Sequence, residues 1–216
     1  MVKELISRFS ELMVIGFSGA FLSNAVLCRA MGLDRIKNIE EDSDEIIFCI
    51  LQFACSMLTS LLFWIAKKLV YIPASLLEKA GVSEYYSRAF LWPLLIAVLT
   101  AAVFFAVFVI TVKIAPYDKV TSAARQLPFA AFNTFAAGVI LIGASAGYSF
   151  LETLFYVAGA NLGYAVANWM LREGNRRLQN REIPAAFRGL PARLLYLSGL
   201  ALAFYSLTGR SLSSLL

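Results

Sequence analysis

Six uncharged, mainly apolar stretches divide this chain, at residues 12–28, 46–66, 89–112, 126–151, 153–171 and 194–209. About 17–25 apolar residues cross a bilayer as one α-helix, so the pattern predicts an all-α integral membrane protein with six transmembrane helices. Composition agrees: 60% of the residues are hydrophobic and 15% charged, against roughly 45–50% and 25% in a soluble domain. The first and last stretches are the shortest, which points to helices that are broken, tilted or only partly crossing.

The 19 lysines and arginines sit in the connecting segments, where they report topology. Twelve of them, Arg29 to Lys37, Lys113 to Arg125 and Arg172 to Arg193, follow the first, third and fifth stretches. Those loops are expected on the cytoplasmic side, with both termini facing outward. No small-residue cleavage site follows Met1–Glu11, so the first span is expected to be uncleaved. Basic residues spread through loops beside apolar spans do not form a nucleic-acid surface, and no nucleic-acid partner is expected.

Histidine is absent, which removes His-based triads, His-ligated haem and His-containing zinc sites. Gly143-Ala144-Ser145-Ala146-Gly147 matches a nucleophile elbow in letters. It lies between two apolar helices and has no histidine base, so it is better read as a tight helix connection. Of the three cysteines, Cys49 and Cys55 are six residues apart and fall about 120° apart around one helix. They cannot hold one ion from a shared face. No catalytic residue and no metal site is assigned.

The first and fourth stretches carry small or polar residues at their centres: Gly16, Ser18, Gly19, Ser23 and Asn24 in one, Asn133, Thr134, Gly138 and Gly143 in the other. Asn24 and Asn133 lie 109 positions apart in a chain of 216. With three helices per half the second half is inverted, and inverted repeats with interrupted helices at equivalent positions point to a site near the bilayer midplane. The expected repeats are 1–117 and 118–216, in one membrane domain, with helices one and four broken or short and Asn24, Asn133 and Thr134 as midplane candidates. The competing reading is that these residues only let helices approach and hydrogen-bond. Glu152 is the sole charge between Arg125 and Arg172. It is a candidate for proton or sodium traffic, although Gly147, Tyr148 and Ser149 before it suggest a turn at the membrane surface. The acidic loop with Asp34, Glu40, Glu41, Asp42, Asp44 and Glu45 reads as a solvated face.

Arg172-Glu173, then Ile183-Pro184-Ala185-Ala186-Phe187-Arg188-Gly189 and Ser198-Gly199-Leu200-Ala201-Leu202-Ala203-Phe204, resemble the last cytoplasmic loop and final helix of the Rnf and Nqr small membrane subunits. Ser23-Asn24-Ala25-Val26-Leu27 with Met31-Gly32-Leu33, and Leu127-Pro128 with Asn133 and Gly138, resemble that family's other motifs. The outward N-terminus resembles the RnfA type within the family, the counterpart of the NqrE type. The resemblance implies a multi-pass protein of the bacterial inner membrane. It implies a non-catalytic subunit that pairs with an inverted six-helix sister and other Rnf/Nqr-type subunits, in contact with membrane lipid. The complex couples electron transfer to sodium or proton movement.

The resemblance also implies a [2Fe–2S] cluster held by two cysteines from each sister. Here those positions fall on Asp34 and Thr134. Carboxylate is harder than the thiolates such clusters favour, and a neutral hydroxyl is a poor ligand. A diverged subunit without cluster ligands of its own is therefore expected, and no cofactor is assigned. The rival functions are a stand-alone small-molecule or ion transporter that kept the fold, and a structural scaffold for a sister subunit.

Overall fold

The computed structural model describes residues 2–33, 42–67, 79, 84–114, 117–178, 184 and 187–207. The chain runs through α1 (Val2–Phe17) into a π-helical turn, Ser18–Leu22, then α2 (Asp42–Ala66) and α3 (Glu84–Ile114). It continues through α4 (Tyr117–Ala131), α5 (Thr134–Ser145), α6 (Phe150–Arg177) and α7 (Leu190–Leu207). There is no strand among the described residues, as expected of a chain whose apolar stretches far exceed strand length.

Among the described residues, three stretches are long and apolar enough to cross a membrane: Lys3–Leu22, Ile46–Ala66 and Ala89–Lys113. The pair Val120–Ala131 and Thr134–Ser145, bent by 43° at the break between them, makes a fourth if it is one span. The expectation of six helices rested on uncharged runs, and the remaining two differ for separate reasons. At 28 residues, α6 is about 42 Å long, enough to cross. It carries Asn161, Asn168 and Asn175, all buried. This helix lies at the centre, packed on α1 and its π-turn, α2, α5 and α7, so most of its surface meets protein and not lipid. The α7 helix is described for 18 residues, near the lower limit for a span.

Helices one and four are both interrupted. The first apolar stretch is not one helix over 12–28: regular helix begins at Val2, loosens into the π-turn and ends at Ser23, whose N–H closes on the Ser18 carbonyl at 2.8 Å. Small residues explain the local geometry, since α1 crosses α6 where Gly16 and Ala20 meet Gly159 and Gly163. A Cβ on Gly159 would collide with the Gly16 carbonyl, and one on Gly163 with that of Ala20. This is the small-xxx-small contact that lets membrane helices touch backbone to backbone. In the fourth stretch Pro128 stands four residues before the break and leaves a gap in the ladder of α4. The chain then restarts at Asn133.

The Gly143–Gly147 segment is the end of α5 and the turn after it, with Gly147 at φ +72°. Ser149 and Glu152 form a capping box at the start of α6, and the Ser149 N–H donates to Glu152 Oε2 at 2.9 Å. That bond accounts for an acidic residue at this position, because a carboxylate in the first turn satisfies a free donor and faces the positive helix end.

Candidate functional site

Both helix breaks restart on an asparagine, and the two asparagines are used in the same way. Asn133 is the N-cap of α5; its Oδ1 accepts from the Phe135 N–H at 2.9 Å. Asn24 opens the single turn that follows the first break, and its Oδ1 accepts from the Val26 and Leu27 N–H groups, both at 3.0 Å. An asparagine side chain at such a point satisfies donors that a helix start leaves free, which matters most where no water competes. Both residues are buried, with 2% and 4% of their surface exposed.

Their amide nitrogens tie the breaks to the rest of the bundle. Asn24 Nδ2 donates to the Ala20 carbonyl at 2.9 Å and to that of Gly163 on α6 at 3.1 Å. Asn133 Nδ2 donates to Gln52 Oε1 on α2 at 3.2 Å. The close α1–α6 crossing is what brings the Gly163 carbonyl within reach of Asn24. One helix of small residues thus serves both packing and polar satisfaction.

The two breaks are adjacent. The turn Met31–Leu33 follows the first of them and docks on the start of α5, where the Gly32 N–H donates to Thr134 Oγ1 at 2.9 Å. Gly32 holds φ +79°, and a Cβ there would lie 2.6 Å from the Tyr164 ring and 3.0 Å from Phe135 Cβ. Only glycine fits both the backbone and the space. Met31 fills the hollow over Gly138, and the Phe135 and Tyr164 rings pack as a tilted pair with centroids 4.6 Å apart.

A polar stripe on α2 completes the centre. Gln52, Ser56, Thr59 and Ser60 recur at helical spacing and are each at most 1% exposed. Asn161 Nδ2 donates to Ser56 Oγ at 2.8 Å and to the Val157 carbonyl at 2.7 Å. Ser56 is the middle residue of the 21-residue apolar span Ile46–Ala66, and Gln52 lies about 6 Å from it along the axis. The asparagine network therefore sits close to the centre of that span.

Asn24, Asn133 and Thr134 are thus brought into one region, while Asp34 lies outside the described residues, as do Glu40 and Glu41. Sequence reasoning missed Gln52, Ser56 and Asn161, and it passed over the Gly159-to-Gly163 spacing. Two signals were present: polar residues at i, i+4, i+7 and i+8 within an apolar run, and a G-x-x-x-G.

Chemically the centre is neutral: amides, hydroxyls and backbone carbonyls. Thr134 does not suit the role of an iron–sulfur cluster ligand, because its Oγ1 accepts the Gly32 N–H and offers no thiolate. Cys28, near the first break, places Sγ 3.9 Å from the Leu22 carbonyl; Cys49 and Cys55 lie on α2. Among the described residues no three His, Cys, Asp or Glu side chains come together. What the arrangement can do is hold two broken helices end to end and present neutral dipoles at mid-span.

No protein-family model matches the chain. It is 26% identical over 201 residues to the A-type subunit of the Na(+)-translocating ferredoxin:NAD(+) oxidoreductase complex of Acetobacterium woodii, covering 93% of this chain and 98% of that one. It is 33% identical over 114 residues to the A-type subunit of the ion-translocating oxidoreductase complex of Aromatoleum aromaticum, covering 53% and 58%. Over 86 residues it is 30% identical to the E-type subunit of the Na(+)-translocating NADH-quinone reductase of Pseudoalteromonas atlantica, covering 40% and 43%.

Proposed function

Because this chain is a relative of the Rnf and Nqr small membrane subunits, we propose that it serves as an integral membrane subunit of an ion-translocating electron-transport complex. The likeness to an A-type subunit over nearly the whole length of both chains carries this reading. Within such a complex the chain is a non-catalytic element. Its two halves, about 1–117 and 118–216, are inverted repeats, each contributing one asparagine-capped break. The shared capping by Asn24 and Asn133 supports that division.

The chain binds no [2Fe–2S] cluster of its own. The side chain at one expected cluster position, Thr134, supports this reading: its hydroxyl accepts the Gly32 N–H and offers no thiolate. The electron path of the complex then passes through other subunits, and the neutral centre borders the ion path or braces the sister subunit. The chain resides in a bacterial inner membrane with both termini outward, following the placement of its basic loops.

Mild-detergent affinity purification of the chain, followed by mass spectrometry of what accompanies it, tests the assignment. Recovery of a sister six-helix subunit together with flavin- or iron–sulfur-bearing subunits is expected. Recovery of the chain alone, or with an ATPase, overturns this reading and favours a transporter.

A further inference from the structure

Arg29 opens a basic loop in the sequence, yet the turn that carries it stays inside the membrane-spanning bundle. Three backbone bonds close that turn: Cys28 N–H to the Asn24 carbonyl at 2.9 Å, Ala30 N–H to that of Val26 at 3.0 Å and Met31 N–H to that of Ala25 at 2.9 Å. At its start Asn24 bonds the Gly163 carbonyl. Gly163 is two residues, about 3 Å of helix, from Asn161, which bonds Ser56 at the middle of the Ile46–Ala66 span. At its end Gly32 bonds Thr134, next to Asn133, whose partner Gln52 is about 6 Å from Ser56. Both ends of the turn are thus within about 6 Å of mid-span, and the hydrocarbon extends roughly 15 Å to either side.

A guanidinium at that depth needs a counter-charge. Arg29 is exposed on the surface of the chain, and among the described residues it meets no carboxylate. Glu173 pairs with Arg177, Glu152 caps α6, and Glu4 and Glu11 stand at least 12 residues, about 18 Å of helix, before Ser23. Long basic side chains escape hydrocarbon by running to nearby water. Here the charge acts on the Tyr156 hydroxyl, which lies 3.4 Å from Ser23 Oγ beside the first break, so the guanidinium stays at the level of the break. Phe21 and Leu22, just before the break, are 40% and 43% exposed and offer it no polar partner.

We propose that Arg29 docks a transmembrane helix of a partner subunit through a carboxylate, Asp or Glu, carried at mid-membrane depth, with Phe21 and Leu22 as the apolar rim of the contact. Ionised side chains within a membrane pair with one another, and a carboxylate matches the guanidinium fork with two parallel N–H···O bonds. Phospholipid phosphates lie past the hydrocarbon edge, about 9 Å or more from the turn, whereas a partner helix carries its anion to the required depth. The inference rests on the chain being a subunit of a membrane complex and names the contact that joins it.

The tagged chain is extracted from its native membranes in mild detergent, and the membrane subunits that accompany it are identified and quantified. Arg29→Met, which keeps the length and removes the charge, should lower their recovery about tenfold or more. The abundance and unfolding temperature of the chain itself should not change, because the side chain is exposed. Arg29→Lys should keep part of the recovery. In that variant a membrane-soluble carbodiimide, converted to a urea as amine and carboxyl condense, should join the new amine to an Asp or Glu, and the cross-linked peptide names it. Attachment within a transmembrane helix of another polypeptide is expected. Attachment to this chain's own acidic segment, Asp34 to Glu45, overturns the proposal. Undiminished recovery of the subunits in Arg29→Met overturns this inference alone, whereas an unaltered chain that recovers no membrane subunit overturns its premise as well. If Arg29→Met does not accumulate, the cross-link in Arg29→Lys still decides.

Discussion

The Gly32 N–H and the Thr134 hydroxyl, 102 residues apart in the chain, meet at 2.9 Å and join the turn after the first helix break to the first residue after the second. Each partner is placed by its own half of the molecule. Their bond is a direct link between the two interrupted helices.

Thr134→Val keeps the shape of the side chain and removes the acceptor, leaving the Gly32 N–H unpaired. It should lower stability by about 1–2 kcal/mol, whereas Thr134→Ser should lose less than half as much. Thermal unfolding in detergent, followed by a size-exclusion fluorescence readout, makes the comparison. Equal losses in the two variants would mean that the methyl group and not the hydroxyl matters.

Asn24→Leu breaks four hydrogen bonds, to Ala20, Gly163, Val26 and Leu27, while Asn133→Leu breaks two, to Gln52 and Phe135. At roughly 0.6 kcal/mol for an average polar contact in a membrane protein, the expected losses are about 2 and about 1 kcal/mol. The same unfolding assay ranks them. A larger loss at Asn133 would contradict this pattern of bonding. In the assembled complex, ion transport falling further than protein abundance in both variants would mark a role beyond bracing.

Gly163→Ala places a methyl group against the Ala20 backbone and should push α1 away from α6, costing about 1–3 kcal/mol as overpacking. Gly199→Ala, on α7 with open space around its Cβ position, should be neutral or slightly stabilising because alanine favours the helix. Limited proteolysis of α1 distinguishes the two. Cleavage that is equally slow in both would rule out the tight crossing.

Glu152→Gln retains an acceptor for the Ser149 N–H and should leave both stability and ion transport near their original values. Glu152→Ala should lose about 0.5–1 kcal/mol, as a lost cap does. Sodium- and proton-driven flux in vesicles containing the complex is the measurement. Abolished flux in Glu152→Gln would show that the carboxylate carries ions and is more than a cap.

Much of the candidate site was legible in the sequence as composition out of place: Asn24 and Asn133 stand out because amides are expensive in an apolar run. Gln52, Ser56 and Asn161 obey the same rule yet were passed over, because each alone resembles an ordinary packing residue. Their common meaning appears only when α2 and α6 are side by side.

The sequence by itself determined the class of fold, since uncharged runs of this length leave the backbone no stable form in lipid except helix. It also determined where the helices restart, through asparagines that cap better than they propagate. Tertiary structure alone decided that the two breaks touch, that Gly163 offers its carbonyl to Asn24, and that Gln52 accepts from the Asn133 amide. Those relations join residues 80 to 140 positions apart, and chain-local patterns carry no information about which helix faces which.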